Sequence, residues 1–247
     1  MNTTILITLG LATALSMSGC VAAKRTADTD QGIPSVTQAV VTEATTTTTA
    51  AHKEEKAAVK IDVTDAVDRS FKIADETFTY KIPKVTITGV NTDAANETIR
   101  TEIDKEYYDG DNKELFDSNY EYFVGNKTVS LVVSNTDLSG GEFITVKVYN
   151  VDINTGKLLT AGEVVKLSGM TDDEFFGKVK GIYTKYNNEE YKRCSGKEEK
   201  SYISENLKNI SYKFVQPYFG ANGKLCFIGE VNCTAGAGVA YESFETA

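Results

Sequence analysis

Four carboxylates in one polar stretch are the first residues whose type and spacing suggest chemistry: Asp109, Asp111, Glu114 and Asp117. Oxygen ligands spaced in this way suit a weak cation site, but a solvated loop that attracts cationic partners is the simpler interpretation. The chain has one histidine, His52, and it lies in a low-complexity region. Most histidine-dependent catalysis is therefore excluded.

Two other acidic patterns also have simpler explanations than a functional site. Asp152, Asn154 and Glu163 are spaced like part of a calcium loop, but Gly156 stands one place too early, which favours a strand end and a turn. The run Gly140-Gly141-Glu142-Phe143 matches part of the signature of enzymes that make nucleotide second messengers. We interpret it as a hairpin turn.

A binding loop is the hypothesis that these patterns support. Its candidate residues are Asp109, Asp111, Glu114, Asp117, Gly140 and Gly141. The alternative is a wall-active hydrolase, or an accessory to one, that uses paired carboxylates. The chain has 35 Asp and Glu residues, so the sequence identifies no catalytic pair. We expect neither a metal site nor a cofactor.

The chain has four cysteines: Cys20, Cys194, Cys226 and Cys233. If Cys20 is acylated, an odd number of thiols remains. A two-residue turn at Gly229-Glu230 would place Cys226 opposite Cys233 and permit a disulfide. One continuous strand would instead hold these two residues roughly 23 Å apart. A cysteine nucleophile would need a histidine or an equivalent base, and the region predicted to fold has no histidine.

Residues 1–20 have the pattern of a lipoprotein signal peptide. The apolar run from Ile5 to Met17 is too short to span a bilayer, and Ser18-Gly19-Cys20 resembles the bacterial lipobox. Acylation of Cys20 would anchor the protein on the extracytoplasmic face of the cell membrane. Without acylation the same segment would act as a plain secretory signal and the protein would be secreted.

Residues 21–60 are rich in Thr, Ala and charged side chains and contain no Phe, Tyr or Trp. Such a segment buries too little apolar surface to offset the entropy of its own ordering. We predict a tether, which as a flexible chain would have a root-mean-square span of roughly 35 Å.

The stretch from Glu142 to Val164 organises the part that follows. Ile144, Val146 and Val148 alternate as in a strand, and Val151 continues one step out of phase, which predicts a β-bulge near Tyr149–Asn150. Asn154-Thr155-Gly156-Lys157 predicts a turn. Thr160 is suited to cap a short helix.

Other periodic segments complete the fold prediction. Alternation around Pro83 predicts an edge strand or a bulge, and Ala95, Ile99 and Ile103 mark a helix. Thr171 and Glu174 form a capping box before a second long helix, whereas residues 187–199 have the composition of a loop. Tight turns between strands predict an α+β fold, an antiparallel sheet of hairpins with two or three helices packed on one face, forming a single domain over residues 61–247.

Net charge limits the class of partner. The chain carries 26 Lys and Arg against 35 Asp and Glu, a formal charge of −9. Nucleic acid and anionic membrane surfaces would repel it, so membrane attachment is expected through the lipid anchor alone. Cationic or neutral partners remain, such as an extracellular protein or a cell-wall component.

Several strand and turn segments resemble an extracytoplasmic module of unknown function. These are Lys84 to Gly89, Val129-Ser130-Leu131, Gly140-Gly141, Tyr149 to Asp152, Thr155-Gly156-Lys157, Asn222 to Cys226 and Ala235-Gly236-Ala237, together with Asn96 and Ile103 in the helix. The module is found on the anti-sigma factor RsiV, where it recognises lysozyme, and ahead of the catalytic domain of the deacetylase PdaC.

The resemblance covers about Phe71 to the terminus, and it implies an α+β module that displays a binding surface outside the membrane. Glu142 and Phe143 stand where many relatives have Ala-His. The likeness also favours the long strand through Cys226 and Cys233, and hence free, partly buried thiols.

Overall fold

The computed structural model describes residues 59–73, 75–107, 116–125, 127–138, 143–233 and 239–246. The strands are β1 Ile61–Ile73, β2 Glu76–Ile87, β3 Phe116–Val124, β4 Thr128–Asp137, β5 Phe143–Asp152, β6 Val215–Phe219, β7 Leu225–Asn232 and β8 Val239–Glu245. The helices are α1 Asp93–Tyr107, α2 Ala161–Leu167, α3 Asp172–Tyr191 and α4 Lys197–Ser204, followed by the 3-10 helix Glu205–Leu207.

These elements form two sheets with helices on their outer sides. Sheet A has the order β1-β2-β3-β4-β5, and sheet B has the order β6-β7-β8. Neighbours are antiparallel except β2 and β3, which run parallel at Tyr80–Ser118 because α1 carries the chain across between them. The α+β class is confirmed. The finer arrangement differs, because there are two sheets and each carries helices on its outer face.

Sheet A is buried on both faces where β4 and β5 run through it. Tyr149 and Val151 pack with the α1 residues Ile99 and Ile103 in one core cluster. Val146 belongs to a second cluster, between the sheets, with residues of sheet B. The predicted bulge near Tyr149–Asn150 is wrong, because the β4–β5 register runs without a break from Thr128↔Asp152 to Asp137↔Phe143. The phase change marks a strand with two buried faces.

The bulge predicted around Pro83 is present, but the extra residue lies on the partner strand. The β1–β2 register pairs Asp65 with Pro83 and Val67 with Ile82, so Ala66 is the bulged residue. Ile82 and Val85 can then both face the core, and both are fully buried. The bulge follows from burying a strand whose apolar pattern changes phase.

The helices against sheet B begin at the predicted caps. Thr160 with Glu163 and Thr171 with Glu174 both form complete capping boxes. The loop predicted for residues 187–199 is wrong, since α3 continues to Tyr191 and α4 begins at Lys197. The polar composition of this segment suggested a loop, but the polar side chains of Asn187 and Glu190 are buried in the helix packing. They are 2% and 5% exposed and make hydrogen bonds there.

Side-chain amides and a hydroxyl join the two sheets. Gln216 on β6 accepts from the Val148 N–H at 2.9 Å and donates to the Val146 carbonyl at 2.8 Å, as a neighbouring strand would. Asn150 donates to the Pro217 carbonyl at 3.0 Å, and the Phe219 N–H donates to Ser130 Oγ at 3.1 Å. Side chains of each sheet thus form hydrogen bonds with backbone groups on the edge strand of the other sheet.

The turn predicted at Gly156 and the long closing strand are confirmed, whereas the turn predicted at Gly140-Gly141 lies outside the described residues. Gly156 and Gly223 adopt φ of 71° and 72° in the turns after β5 and before β7. Gly229 and Glu230 lie inside β7, so the alternative hairpin at that point is wrong. Cys194, Cys226 and Cys233 are all in the thiol form, and Cys226 is buried between the sheets.

Candidate functional site

Most of the predicted site residues lie outside the described part of the chain. These are Cys20, Asp109, Asp111, Glu114, Gly140 and Gly141. Asp117 is described, as the second residue of β3. The strand ends that flank the two predicted binding segments are described as well.

The strand register brings those ends together. Phe116 at the start of β3 pairs with Asp137 at the end of β4, which pairs with Phe143 at the start of β5. Neighbouring strands are about 4.8 Å apart, so the strand ends next to the two predicted binding segments lie side by side at one end of sheet A. The sequence named both segments but gave no reason to place them together.

Paired side chains on the inner face of sheet A form four rows that lead toward that end. Phe123–Ser130–Asn150 and Glu121–Val132–Val148 are the rows nearest sheet B. The next rows toward the end are Asn119–Ser134–Val146 and Asp117–Thr136–Ile144. Directly paired residues share a face of the sheet, so each row is a line of neighbouring side chains.

We call the open surface at this end of the inner face the shelf. It consists of Asp117, Asn119, Glu121, Ser134, Thr136 and Ile144. Ile144 is 47% exposed, one of the few large apolar side chains so exposed in the described residues. This face is buried at Ser130, Asn150 and Val146 and is partly or largely exposed in the side chains of the shelf. Its exposed part can bind a partner.

Hydrogen bonds to β2 hold the acidic side of the shelf in place. Asp117 Oδ1 accepts from the Thr79 N–H at 2.9 Å and from its hydroxyl at 3.2 Å. Asn119 donates to the Thr79 hydroxyl at 3.4 Å. Asp117 therefore fixes the point where β3 joins β2, and its second carboxylate oxygen remains for other contacts.

Glu121 marks the border between the shelf and sheet B. Its side chain is half-buried, and burial raises the pKa of its carboxyl. Tyr218 of sheet B lies beside it, with its ring 5.5 Å from that of Phe123 and its hydroxyl 2.7 Å from Ser243 Oγ. Burial, with Cys226 and Glu121 nearby, raises the pKa of Tyr218 to about 12. The shelf offers mainly acceptors and one apolar contact, which suits binding more than catalysis.

A second acidic cluster lies between the end of α3 and β8. Glu190 accepts from Arg193 Nη1 at 2.8 Å, with the guanidinium mostly exposed and the carboxylate almost fully buried. Burial, and then the charge of Glu190, raise the pKa of Glu242. Burial and the charges of Glu190, Cys233 and Glu242 likewise raise the pKa of Tyr186. A carboxylate pair therefore exists, and it was missed because its members are 52 residues apart.

One local signal pointed to this cluster. Tyr183, Asn187 and Glu190 are spaced as one helix face, and that face is apolar before Asn187. Asn187 Oδ1 accepts from Asn206 at 2.9 Å, while its Nδ2 has no partner among the described residues. Polar residues continuing a buried helix face are a sequence feature of a buried polar site.

The residues that are spaced like part of a calcium loop instead cap a turn and a helix in the structure. Asp152 Oδ1 accepts from the N–H groups of Asn154 and Thr155, each at 2.8 Å, and Glu163 closes the α2 capping box. Among the described residues, no group of three or more His, Cys, Asp or Glu side chains is placed to hold a metal ion. None of the described helices is long and apolar enough to cross a membrane.

Comparison with known proteins adds no assignment. No protein-family model matches the chain, and no curated protein matches it. The resemblance to the module of RsiV and PdaC is therefore carried forward as a hypothesis, on the residues that suggested it.

Proposed function

We propose that this protein is a lipid-anchored extracytoplasmic lipoprotein whose folded part binds a ligand at the cell surface, such as a cationic protein or wall material. The observation that carries the proposal is the row Asp117–Thr136–Ile144, which joins a carboxylate to an exposed apolar side chain where both predicted binding segments meet sheet A. Apolar anchors ringed by polar groups are typical of protein-binding surfaces.

Charge supports a cationic partner. Residues 59–247 contain 22 Lys and Arg and 30 Asp and Glu, a formal charge of −8. Near the shelf, Lys81 is held by Asp65 at 3.2 Å, and Asp65 also accepts from the Tyr120 hydroxyl at 2.5 Å. With Lys81 paired in this way, the shelf carboxylates Asp117 and Glu121 should attract a positively charged protein and speed its encounter.

Lysozyme is the first partner to test, because the resembling module of RsiV recognises it. The association rate of purified residues 59–247 with lysozyme should fall as salt rises, since the Debye length shrinks from about 10 Å at 0.1 M to about 3 Å at 1 M. Replacing Asp109 and Asp111 with Asn should lower the association rate at low salt. Ile144→Ser should instead raise the dissociation rate.

Replacing Glu102 and Glu198 with Gln provides the matched control, because both residues are exposed acids on helices. This control removes the same charge and should leave the salt dependence nearly unchanged. Absence of binding, or a rate that does not respond to salt, would reject the cationic-protein partner.

The anchor has its own test. Cys20→Ala should move the protein from the membrane fraction to the medium, because the acylated thiol is the proposed attachment. Retention of this variant in the membrane fraction would contradict the lipoprotein assignment.

A second function, cleavage of wall material, is favoured by the Glu190–Glu242 pair. Burial and the nearby charge of Glu190 raise the pKa of Glu242, and Glu190 is ion-paired with Arg193, so a carboxyl that keeps its proton to higher pH lies near a paired carboxylate. Release of reducing ends from peptidoglycan by the wild type, abolished in Glu242→Gln, would establish this function. An equal rate in both proteins would exclude the pair.

A further inference from the structure

The edge strands of the two sheets differ in how their outward backbone groups are paired or protected. Gln216 satisfies part of the outer edge of β5, and Ser130 and Asn150 satisfy that of β6. The outer edge of β1 carries the Ala66 bulge and charged side chains, which hinder pairing with another strand. The outer strand β8 has no bulge, and its charged residues, Glu242 and Glu245, are both acidic.

Pairing with β7 shows which backbone groups of β8 face outward. The Thr246 N–H donates to the Leu225 carbonyl at 3.0 Å, so residues 242 and 244 also face β7, and residues 243 and 245 face away. Ser243 and Glu245 are exposed. Within the described residues, no hydrogen bond reaches their backbone groups.

This open edge borders the shelf. Three residues of β6 contact sheet A: Gln216 bonds to β5, the Tyr218 ring packs on Phe123 of β3, and the Phe219 N–H donates to Ser130 of β4. Ile228 of β7 and Tyr241 of β8 pack in the cluster that holds Val146, so sheet B extends from there toward the shelf. The edge of β8 is then one wall of a groove, and the shelf is its floor.

The groove combines an apolar contact at each side with acidic groups. Ile144 on the floor is 47% exposed, and Val239 at the start of β8 is 49% exposed. Asp117 and Glu121 lie on the floor between sheet A's end and sheet B. An extended segment with alternating basic and apolar residues would match this pattern in charge and in spacing.

We propose that the groove binds an extended, basic peptide segment of the partner, which adds to β8 as a fourth strand of sheet B. The segment's backbone pairs with Ser243 and Glu245, while its side chains contact Ile144 and the shelf carboxylates. The proposal rests on the binding function proposed above and specifies the form of the ligand.

The test uses a capped seven-residue peptide of alternating Lys and Val, with residues 59–247 as the protein. Ser243→Pro removes an outward N–H at a position where an edge strand accepts proline, and should weaken binding about ten-fold. Ser243→Ala removes the same hydroxyl, including its contact with Tyr218, but keeps the N–H, and should bind like the wild type. The same peptide with Glu in place of Lys should not bind.

Amide exchange in the wild type gives a measurement that does not depend on the variants folding. Peptide binding should slow exchange at Ser243 and Glu245 and leave the outward amides of β1 unchanged. Equal peptide affinity in the Pro and Ala variants, or no slowing at β8, would overturn strand addition. So would binding of soluble glycan fragments at this edge in place of the peptide.

The two proposals fail in different ways. If lysozyme binds with the expected salt dependence but Ser243→Pro has no effect on it, strand addition is wrong and the binding function stands. If neither lysozyme nor the basic peptide binds the wild type, the proposed function itself is wrong.

Discussion

Gly229 shows how one residue fixes the contact between a helix and sheet B. A Cβ at this position would lie 2.3 Å from the Tyr183 hydroxyl and 3.1 Å from two ring carbons. Tyr183 is fully buried, and its hydroxyl has no hydrogen-bond partner among the described residues. The ring therefore packs directly on the backbone of β7, which only glycine permits.

We expect Gly229→Ala to lower the free energy of unfolding by about 1–3 kcal/mol, because α3 must move away from β7. Tyr183→Phe removes an unpartnered buried hydroxyl and should leave stability unchanged or raise it. Combined with Gly229→Ala it should recover part of the loss. Urea unfolding of the three variants measures these effects, and a neutral Gly229→Ala would contradict the close contact.

The raised pKa of Glu242 predicts that its contribution to stability falls as pH rises. Its pKa is raised from 4.5 by burial and by Glu190. The contribution of such a carboxyl to stability is complete below its unfolded-state pKa and is lost as pH rises through the higher folded-state value. Relative to Glu242→Gln, the wild type should therefore become less stable as pH rises from about 4 to about 7.

Glu174 is the control with the opposite sign. Hydrogen bonds from the Thr171 N–H and hydroxyl lower the pKa of its carboxyl. Its contribution is present above the unfolded-state pKa and is lost as pH falls through the folded-state value. Thermal unfolding of Glu242→Gln and Glu174→Gln, each against the wild type and with the pH range extended below the ordinary Glu pKa of about 4.3, measures the two trends. Trends of the same sign would contradict the assignment for Glu242.

At the scale of elements, the capping boxes decide where two helices begin. The Glu174 N–H donates to Thr171 Oγ1 at 3.2 Å, and the Thr171 N–H donates to the Glu174 carboxylate at 2.8 Å. Thr171→Ala should lower the free energy of unfolding by about 1 kcal/mol, whereas Thr171→Ser should change it little. Chemical denaturation distinguishes them, and equal losses in both variants would mean that the hydroxyl is not the stabilising group.

Local patterns in the sequence predicted these caps, the apolar face of α1 and the turn at Gly156, because each depends on residues a few positions apart. No such local pattern points to Gln216, because its bonds to Val146 and Val148 join segments about seventy positions apart. The bulge wrongly predicted near Asn150 has the same cause. The layer that buries the second face of β5 is sheet B, which comes later in the chain.

The candidate site depends on the whole molecule for the same reason. The sequence named Asp117 and the segments before β3 and between β4 and β5, and the register across these strands brings the adjoining strand ends to one end of sheet A. The border of the shelf is set by how far sheet B extends over sheet A. Residue composition predicted a cationic partner class, whereas topology determines where such a partner can bind.

The bonds between the sheets predict that residues 61–247 unfold as one unit. Gln216, Asn150 and Ser130 satisfy backbone groups of the opposite sheet, so separating the sheets would expose these groups as well as the cluster around Val146 and Ile228. Gln216→Leu fills the same space without the two hydrogen bonds and leaves buried β5 groups without partners. We expect it to lower stability by about 1–3 kcal/mol.

Hydrogen exchange under native conditions provides the measurement, because it reports the opening of each sheet separately. In the wild type, the slowest amides of β4 and of β7 should exchange with the same free energy, and Gln216→Leu should lower both equally. Limited proteolysis should in addition remove the predicted tether and leave one resistant core that begins near Ile61. A loss confined to one sheet, or a stable fragment ending between residues 109 and 126, would show that the two sheets are separate folding units, because a single unit cannot lose one sheet while the other stays closed.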